Sequence, residues 1–181
     1  MTSFLVGTAG ALLILVIATS GSLAPKSYLE PWDKNYASKF SDPRIKVVAR
    51  GLLAPNGHNM QPWIIKLDKD NNNVLYLYGD SSRLTPEIDP PARQFTITQG
   101  TFLEYLCVAS EKLGYKASIQ LFPEGEYDDA GSVQSIAQKP AAKITLEKSI
   151  PIDNPCYDAI FLPDTNRSPY QPEAKIGRAH V

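Results

Sequence analysis

Between residues 92 and 113 the apolar side chains Phe95, Phe102, Leu106, Ala109 and Leu113 recur at steps of three, four and seven, with no proline between them. That spacing draws one apolar stripe down a helix, and Gly114 stands where a helix ends in a left-handed residue. A helix of this length is the largest regular element the chain can build, so everything else has to pack against its stripe. Ser41-Asp42-Pro43 opens a second, shorter helix, with a capping side chain followed by proline where no N–H is needed. It is expected to run through Ile45, Val47, Val48, Leu52 and Leu53 and to stop at Pro55 and Gly57.

The remaining apolar runs have the other period. Trp63-Ile64-Ile65-Lys66-Leu67 and Val74-Leu75-Tyr76-Leu77-Tyr78 flank a polar turn, which reads as a β-hairpin. Residues 116–122 and 142–146 are further strand candidates, and the proline-rich stretch 86–91 is too kinked for regular structure. The pattern is mixed α+β, with helices packed on a small sheet.

Both ends stand apart. Residues 4–18 carry no charge and as a helix would reach about 22 Å, short of the ~30 Å hydrocarbon core of a bilayer. Small residues on either side bring the run close to spanning length, and Ala18-Thr19-Ser20 offers a small-x-small cleavage site. Residues 1–24 are therefore expected to be a signal peptide or a membrane anchor, with a buried core helix as the plainer alternative. No Lys or Arg precedes the run, which leaves its orientation open; an anchored or exported protein on the extracytoplasmic side is the expectation. At the other end, Ile176-Gly177-Arg178-Ala179-His180-Val181 is what the common sequencing-adapter string ATCGGAAGAGCACACGTC encodes, and the next adapter codon is a stop. Residues 176–181 are read as adapter-derived, with the natural gene continuing in their place.

The composition narrows the chemistry. A net charge of −1, from 18 basic and 19 acidic residues without a basic block, gives no reason to expect nucleic acid as a partner. The acidic residues Glu124, Glu126, Asp128 and Asp129 read as a solvated loop face. Cys107 and Cys156 are too few for a disulfide framework, and Cys107 falls in the helical stripe as a small hydrophobe. Without the adapter-derived His180, His58 is the one histidine, so zinc finds no second imidazole, and a Ser-His-Asp site would have to use it. No Gly-rich phosphate loop, G-x-S-x-G elbow or C-x-x-C occurs. What remains is Ala54-Pro55-Asn56-Gly57-His58-Asn59-Met60-Gln61-Pro62-Trp63, between a helix end and a strand start. It offers neutral donors and acceptors suited to the polar edge of a planar heterocycle, and Trp63 adds a flat apolar wall. The plain alternative is a polar turn whose Asn and Gln side chains satisfy their own backbone.

This decapeptide resembles the Ala-Pro-Ser-x-x-Asn-x-Gln-Pro-Trp motif of the nitroreductase family, above all its two-halved branch. Asp89-Pro90-Pro91-Ala92-Arg93, Gly100-Thr101-Phe102-Leu103-Glu104-Tyr105-Leu106 and Leu113-Gly114-Tyr115 are similar to that branch's long helix, and Asp164-Thr165-Asn166-Arg167-Ser168-Pro169-Tyr170 to its arginine segment. The likeness runs in order over roughly residues 42 to 170. It implies an α+β nitroreductase fold over residues 25–175, incomplete because most of the second half is missing, behind an N-terminal hydrophobic helix. It also implies FMN as cofactor, with hydride from NAD(P)H passed to a nitroaromatic or quinone-like small-molecule acceptor, and a homodimer. Pro55, Asn56, His58, Asn59 and Gln61 would line the flavin, and Asn166 and Arg167 would meet its phosphate or ribityl chain. No side chain need act as acid or base, since the flavin carries the hydride, and no metal is implied. Two departures bear on this. Asn56 stands where the family has serine, and Pro163-Asp164 replaces paired arginines, exchanging phosphate-binding charge for an acid. The alternative is accordingly a non-catalytic flavin binder, or a degenerate module of this fold tethered to a membrane; the chain by itself is not expected to close an FMN site. Recovery of the uninterrupted gene checks the reading of the C-terminus: codons other than those for IGRAHV are expected after Lys175.

Overall fold

The computed structural model describes residues 27–128 and 133–162. Two short 3₁₀ helices, Ser27–Trp32 and Tyr36–Lys39, precede helix α1 (Pro43–Gly51). Strands β1 (Trp63–Leu67) and β2 (Val74–Gly79) follow, then a 3₁₀ turn (Ser81–Arg83), helix α2 (Arg93–Lys112) and strand β3 (Tyr115–Leu121). Helix α3 (Val133–Gln138), strand β4 (Ala142–Lys148) and helix α4 (Pro155–Ala159) complete the described chain. The strands form one antiparallel sheet in the order β1-β2-β4-β3. The apolar run at 4–18, the segment 163–170 and the last six residues lie outside the described residues. Among the described residues, no helix is long and apolar enough to cross a membrane.

The long helix forms where its stripe predicts it, and Phe95, Phe102, Leu106 and Ala109 are buried. Its first turn is capped from upstream: Asp89 accepts from the backbone N–H of Arg93 at 2.9 Å and of Phe95 at 3.1 Å, covering two donors that a helix start leaves unpaired. Gly114 ends it with φ 77°, as the sequence expects. The period-two strands do the complementary work. Leu75 pairs with Ile144 and Leu77 with Ala142, while Ala117 faces Leu146, so the inner sheet face meets Phe102, Leu103 and Leu106 of α2 in one core. The outer face carries Lys66, Tyr76, Tyr78 and Lys143 at alternate positions, with Lys66 Nζ 3.9 Å from the centroid of the Tyr78 ring.

Helix α1 stops earlier than expected. Asp42 caps it by accepting from Arg44 N, but after Gly51 the backbone tightens into turns, Leu53 N donating to Arg50 O and Ala54 N to Gly51 O. Pro55 disfavours helical backbone at the residue before it, which forces the break. The break sends Leu53 inward against Val108 and Ile160, and leaves Leu52 exposed. Two buried arginines hold α1 in place. Arg44 pairs with Asp42 at 2.8 Å and donates to the carbonyls of Asp68, Asn71 and Val74 in the hairpin turn. Arg50 donates to the carbonyls of Pro31, Asp33 and Lys34 and lies over the Phe161 ring at 4.7 Å. The short helices at 27–32, 36–39, 133–138 and 155–159 are too brief to leave a periodic trace in the sequence. Cys107 and Cys156 are both free, and burial, with Glu104 and Glu111 nearby, pushes the Cys107 thiol up to about 11.

Two helical glycines have opposite surroundings. A Cβ at Gly51 would lie 2.7 Å from the Phe102 ring, whereas one at Gly100 meets nothing within 4 Å. Alanine at either position gains up to about 1 kcal/mol of helix propensity, but overpacking costs roughly 1–3 kcal/mol. Gly51→Ala is therefore expected to lower unfolding free energy by about 1 kcal/mol and Gly100→Ala to raise it by about 0.5–1 kcal/mol, both read from urea midpoints at constant slope.

Candidate active site

The decapeptide folds as a turn under strain. His58, Asn59 and Gln61 have φ of 51°, 55° and 50°, a region that favours glycine and costs non-glycine residues on the order of 1 kcal/mol or more each, less for asparagine. One turn of helix α2 holds it there. Thr98 Oγ1 accepts from Gly57 N at 3.3 Å, and Thr101 Oγ1 donates to Pro55 O at 2.7 Å. Gln99 Nε2 donates to Pro62 O at 3.1 Å, and Trp63 Nε1 donates back to Thr98 O at 3.3 Å. From the other side Arg83 Nη1 donates to Met60 O at 2.6 Å while its Nε donates to Asp80 at 3.1 Å.

So anchored, the turn forms one wall of a cleft of about 670 Å³, within the ~300–1,000 Å³ usual for small-molecule and cofactor sites. Asn56, Asn59, Gln61 and Trp63 face it from the turn, and Arg83 from beside it. Leu52 and Leu53 line it from the end of α1, and Leu29 and Trp32 from the first 3₁₀ helix. The Trp63 ring is fixed at its back by Phe102, centroid to centroid 5.2 Å. Among the described residues no carboxylate lines the cleft, and Arg83 is the single charged group on its wall.

The predicted site residues divide. Asn59 and Gln61 are exposed on the cleft, and their side-chain amides make no hydrogen bond within the described chain. Asn56 also faces the cleft, but its Nδ2 donates to Ala54 O at 3.1 Å and its Oδ1 accepts from Gln61 N at 2.8 Å. Both ends of that amide brace the turn, as the plain alternative for this segment holds. Pro55 and His58 are exposed members of the same turn and do not line the cleft. Asn166 and Arg167 lie outside the described residues. Of the acidic loop, Glu124, Glu126 and Asp128 are exposed, with Asp128 2.8 Å from Lys139; among the described residues no group of His, Cys, Asp and Glu has the make-up of a metal site.

Sequence reasoning missed Arg83, the cleft's cation, which no motif marks. It also missed Thr98 and Gln99, for which a signal existed. They stand three and four residues after Phe95 and before Phe102, so they interrupt the apolar stripe at positions that must be buried, and their polar atoms need partners.

No family model matches the chain, and a search of curated proteins returns no match. Among solved structures, a Clostridium acetobutylicum protein provisionally described as an NADH oxidase is similar over 60% of this chain and 79% of its own, at 15% identity and a TM-score of 0.43.

The Asp80–Arg83 brace is sensitive to pH. The hydroxyl of Ser82, then its backbone N–H and the Arg83 guanidinium, hold the Asp80 carboxyl below the usual carboxylate range against the opposing effect of burial. A carboxyl with a depressed folded-state pKa stabilises fully above its unfolded value of about 4 and loses that contribution as pH falls through the folded value. The stability difference between the wild type and Asp80→Asn, measured by urea unfolding, is expected to be constant above about pH 5 and to shrink below about pH 4.

Proposed function

We propose that the cleft holds the isoalloxazine ring of FMN, and that the chain belongs to an FMN-dependent NAD(P)H oxidoreductase of the nitroreductase type. One observation carries the reading. Two unbonded side-chain amides, Asn59 and Gln61, and one guanidinium, Arg83, share a wall with a fixed indole, Trp63, across a cleft of cofactor size. A flavin ring has an apolar face and a hydrogen-bonding edge, and this donor set fits it. The amides meet the edge without adding charge, and Trp63, with Leu52 and Leu53, shields the ring from water. Arg83, whose other nitrogens already bind Met60 and Asp80, brings one fixed positive charge. When bound, FMN supplies hydride acceptance from NAD(P)H and reduction of a small nitroaromatic or quinone-like acceptor. The described part of the wall, which carries no carboxylate, suits that division of labour, because the chain then has only to bind, orient and desolvate. Asn166 and Arg167 are proposed to meet the phosphate, where each charge-assisted bond contributes about 1.5–3 kcal/mol. The uncharged run at 4–18 is proposed to place the domain at, or export it across, a membrane, and a second copy is proposed to complete the site.

A second reading, flavin binding without turnover, is favoured by one feature, the acid Asp164 where the resembled motif has an arginine. Titration of the protein from the recovered gene, in mild detergent, with FMN separates the two. A yellow complex bleached by NADH or NADPH is the outcome for the enzyme, and a yellow complex that resists bleaching is the outcome for the binder. Failure to quench FMN fluorescence at any concentration rejects both. Asn59→Ala is expected to weaken FMN binding about five- to tenfold, the value of one neutral hydrogen bond; unchanged affinity would remove the turn from the site.

A further inference from the structure

The chain at 27–34, the first 3₁₀ helix and the turn after it, forms a strap along the cleft, which Leu29, Pro31 and Trp32 line. Its outer attachments are slight. Trp32 is half-buried against Leu53, Val108 and Ile160, and Lys34 meets Asp158 in an exposed pair of the kind that contributes little. The buried tie is Arg50 of helix α1, which is only 1% exposed. Its Nη1 donates to Pro31 O at 3.4 Å and to Asp33 O at 3.1 Å, and its Nη2 donates to Lys34 O. The Phe161 ring, 4.7 Å from the guanidinium, covers its face and leaves the N–H groups at its edge for the carbonyls. The other buried arginine, Arg44, has Asp42 as its counter-charge. Among the described residues no carboxylate pairs with Arg50, and its Nε has no partner. A charge buried without an opposite charge costs free energy that an apolar side chain of similar volume avoids. Arg50 is therefore a poor device for core stability. What its fork does, and an apolar side chain cannot, is fix three carbonyls of the strap at once.

We propose that Arg50 is a positioning residue of the cleft: it holds the strap against α1 and thereby sets how closely Leu29, Pro31 and Trp32 approach a bound flavin. The hold on the strap follows from these contacts whatever fills the cleft; that the strap bears on FMN rests on the reading given above. With methionine at position 50 the strap carbonyls lose their buried donor and reach water only if the strap lifts. The core loses an unpaired charge in the same exchange, so its stability is kept while the wall moves. Trp63, held by Phe102 and by its bond to Thr98 O, stays in place.

The test uses the protein from the recovered gene, in mild detergent, with its tryptophans labelled as 5-fluorotryptophan and the Trp32 and Trp63 signals assigned from Trp32→Phe and Trp63→Phe. Relaxation of each ¹⁹F signal by a soluble gadolinium chelate reads the exposure of each indole separately. In Arg50→Met the Trp32 relaxation is expected to rise several-fold while that of Trp63 stays at the wild-type value. FMN affinity is expected to fall about tenfold, the value of one lost apolar wall. Arg50→Lys, which keeps the charge and the stem but not the fork, is read in the same way and decides the matter if Arg50→Met does not keep the wild-type urea slope. An unchanged Trp32 signal in the folded variants overturns the proposal. An equal rise at Trp32 and Trp63 also overturns it, because Arg50 then serves the fold at large. So does a Trp32 that moves while FMN affinity stays the same. If the wild type binds no FMN, the flavin reading fails by itself, and the two indole signals decide whether Arg50 positions the wall.

Discussion

The site rests on one turn of one helix. Thr98, Gln99 and Thr101 of α2 take hold of Gly57, Pro62 and Pro55, the entry, the exit and the shoulder of the strained turn, and Trp63 returns a bond to Thr98 O. Each such bond contributes about 1 kcal/mol net, comparable with the cost of a residue held at positive φ. The turn therefore keeps its shape because α2 holds it, and α2 keeps its position because Phe102 and Leu106 are buried in the sheet core. Core packing and site geometry are the same constraint read at two scales. Strain of this kind has a use. It turns Asn59 and Gln61 outward onto the cleft with their amides free, where a relaxed loop would have let them bond their own backbone.

Charge on the cleft is as sparse as the geometry is fixed. Arg83 is half-exposed and shares its guanidinium between Asp80 and Met60 O, so it serves the fold and the cleft together. Its contribution to stability as a surface pair is small, and Asp80, 3.1 Å away, already balances part of the charge it turns toward the cleft.

Much of this was legible in the sequence where periodicity is long. Residues 92–113, the hairpin and the strand at 142–146 follow from apolar spacing alone, and the structure extends or trims them by a residue or two. The decapeptide was legible as a polar turn carrying amides, but spacing could not divide the labour within it. That Asn56 braces the backbone while Asn59 and Gln61 stay free depends on φ values that nothing in the letters encodes, since His58 and Gln61 are not residues that announce a left-handed turn. The end of α1 was misplaced by two residues because the helical stripe continues through Leu52 and Leu53, while the backbone answers to Pro55. Arg83 was invisible for a different reason. It reaches the cleft from a 3₁₀ turn set by Asp80, whose N–H is tied to Pro62 O, a contact no local pattern records.

Gln99 shows why polar residues in an apolar stripe repay scrutiny. Its amide nitrogen fixes Pro62 and so the exit of the turn, while its oxygen is buried without a partner. Because the amide is planar, the bond from its nitrogen to Pro62 O also fixes where the oxygen lies. An isosteric Glu at this position would lose the donor to Pro62, and so would a Met. The residue's chemistry, rather than its size, is therefore what the fold requires at position 99.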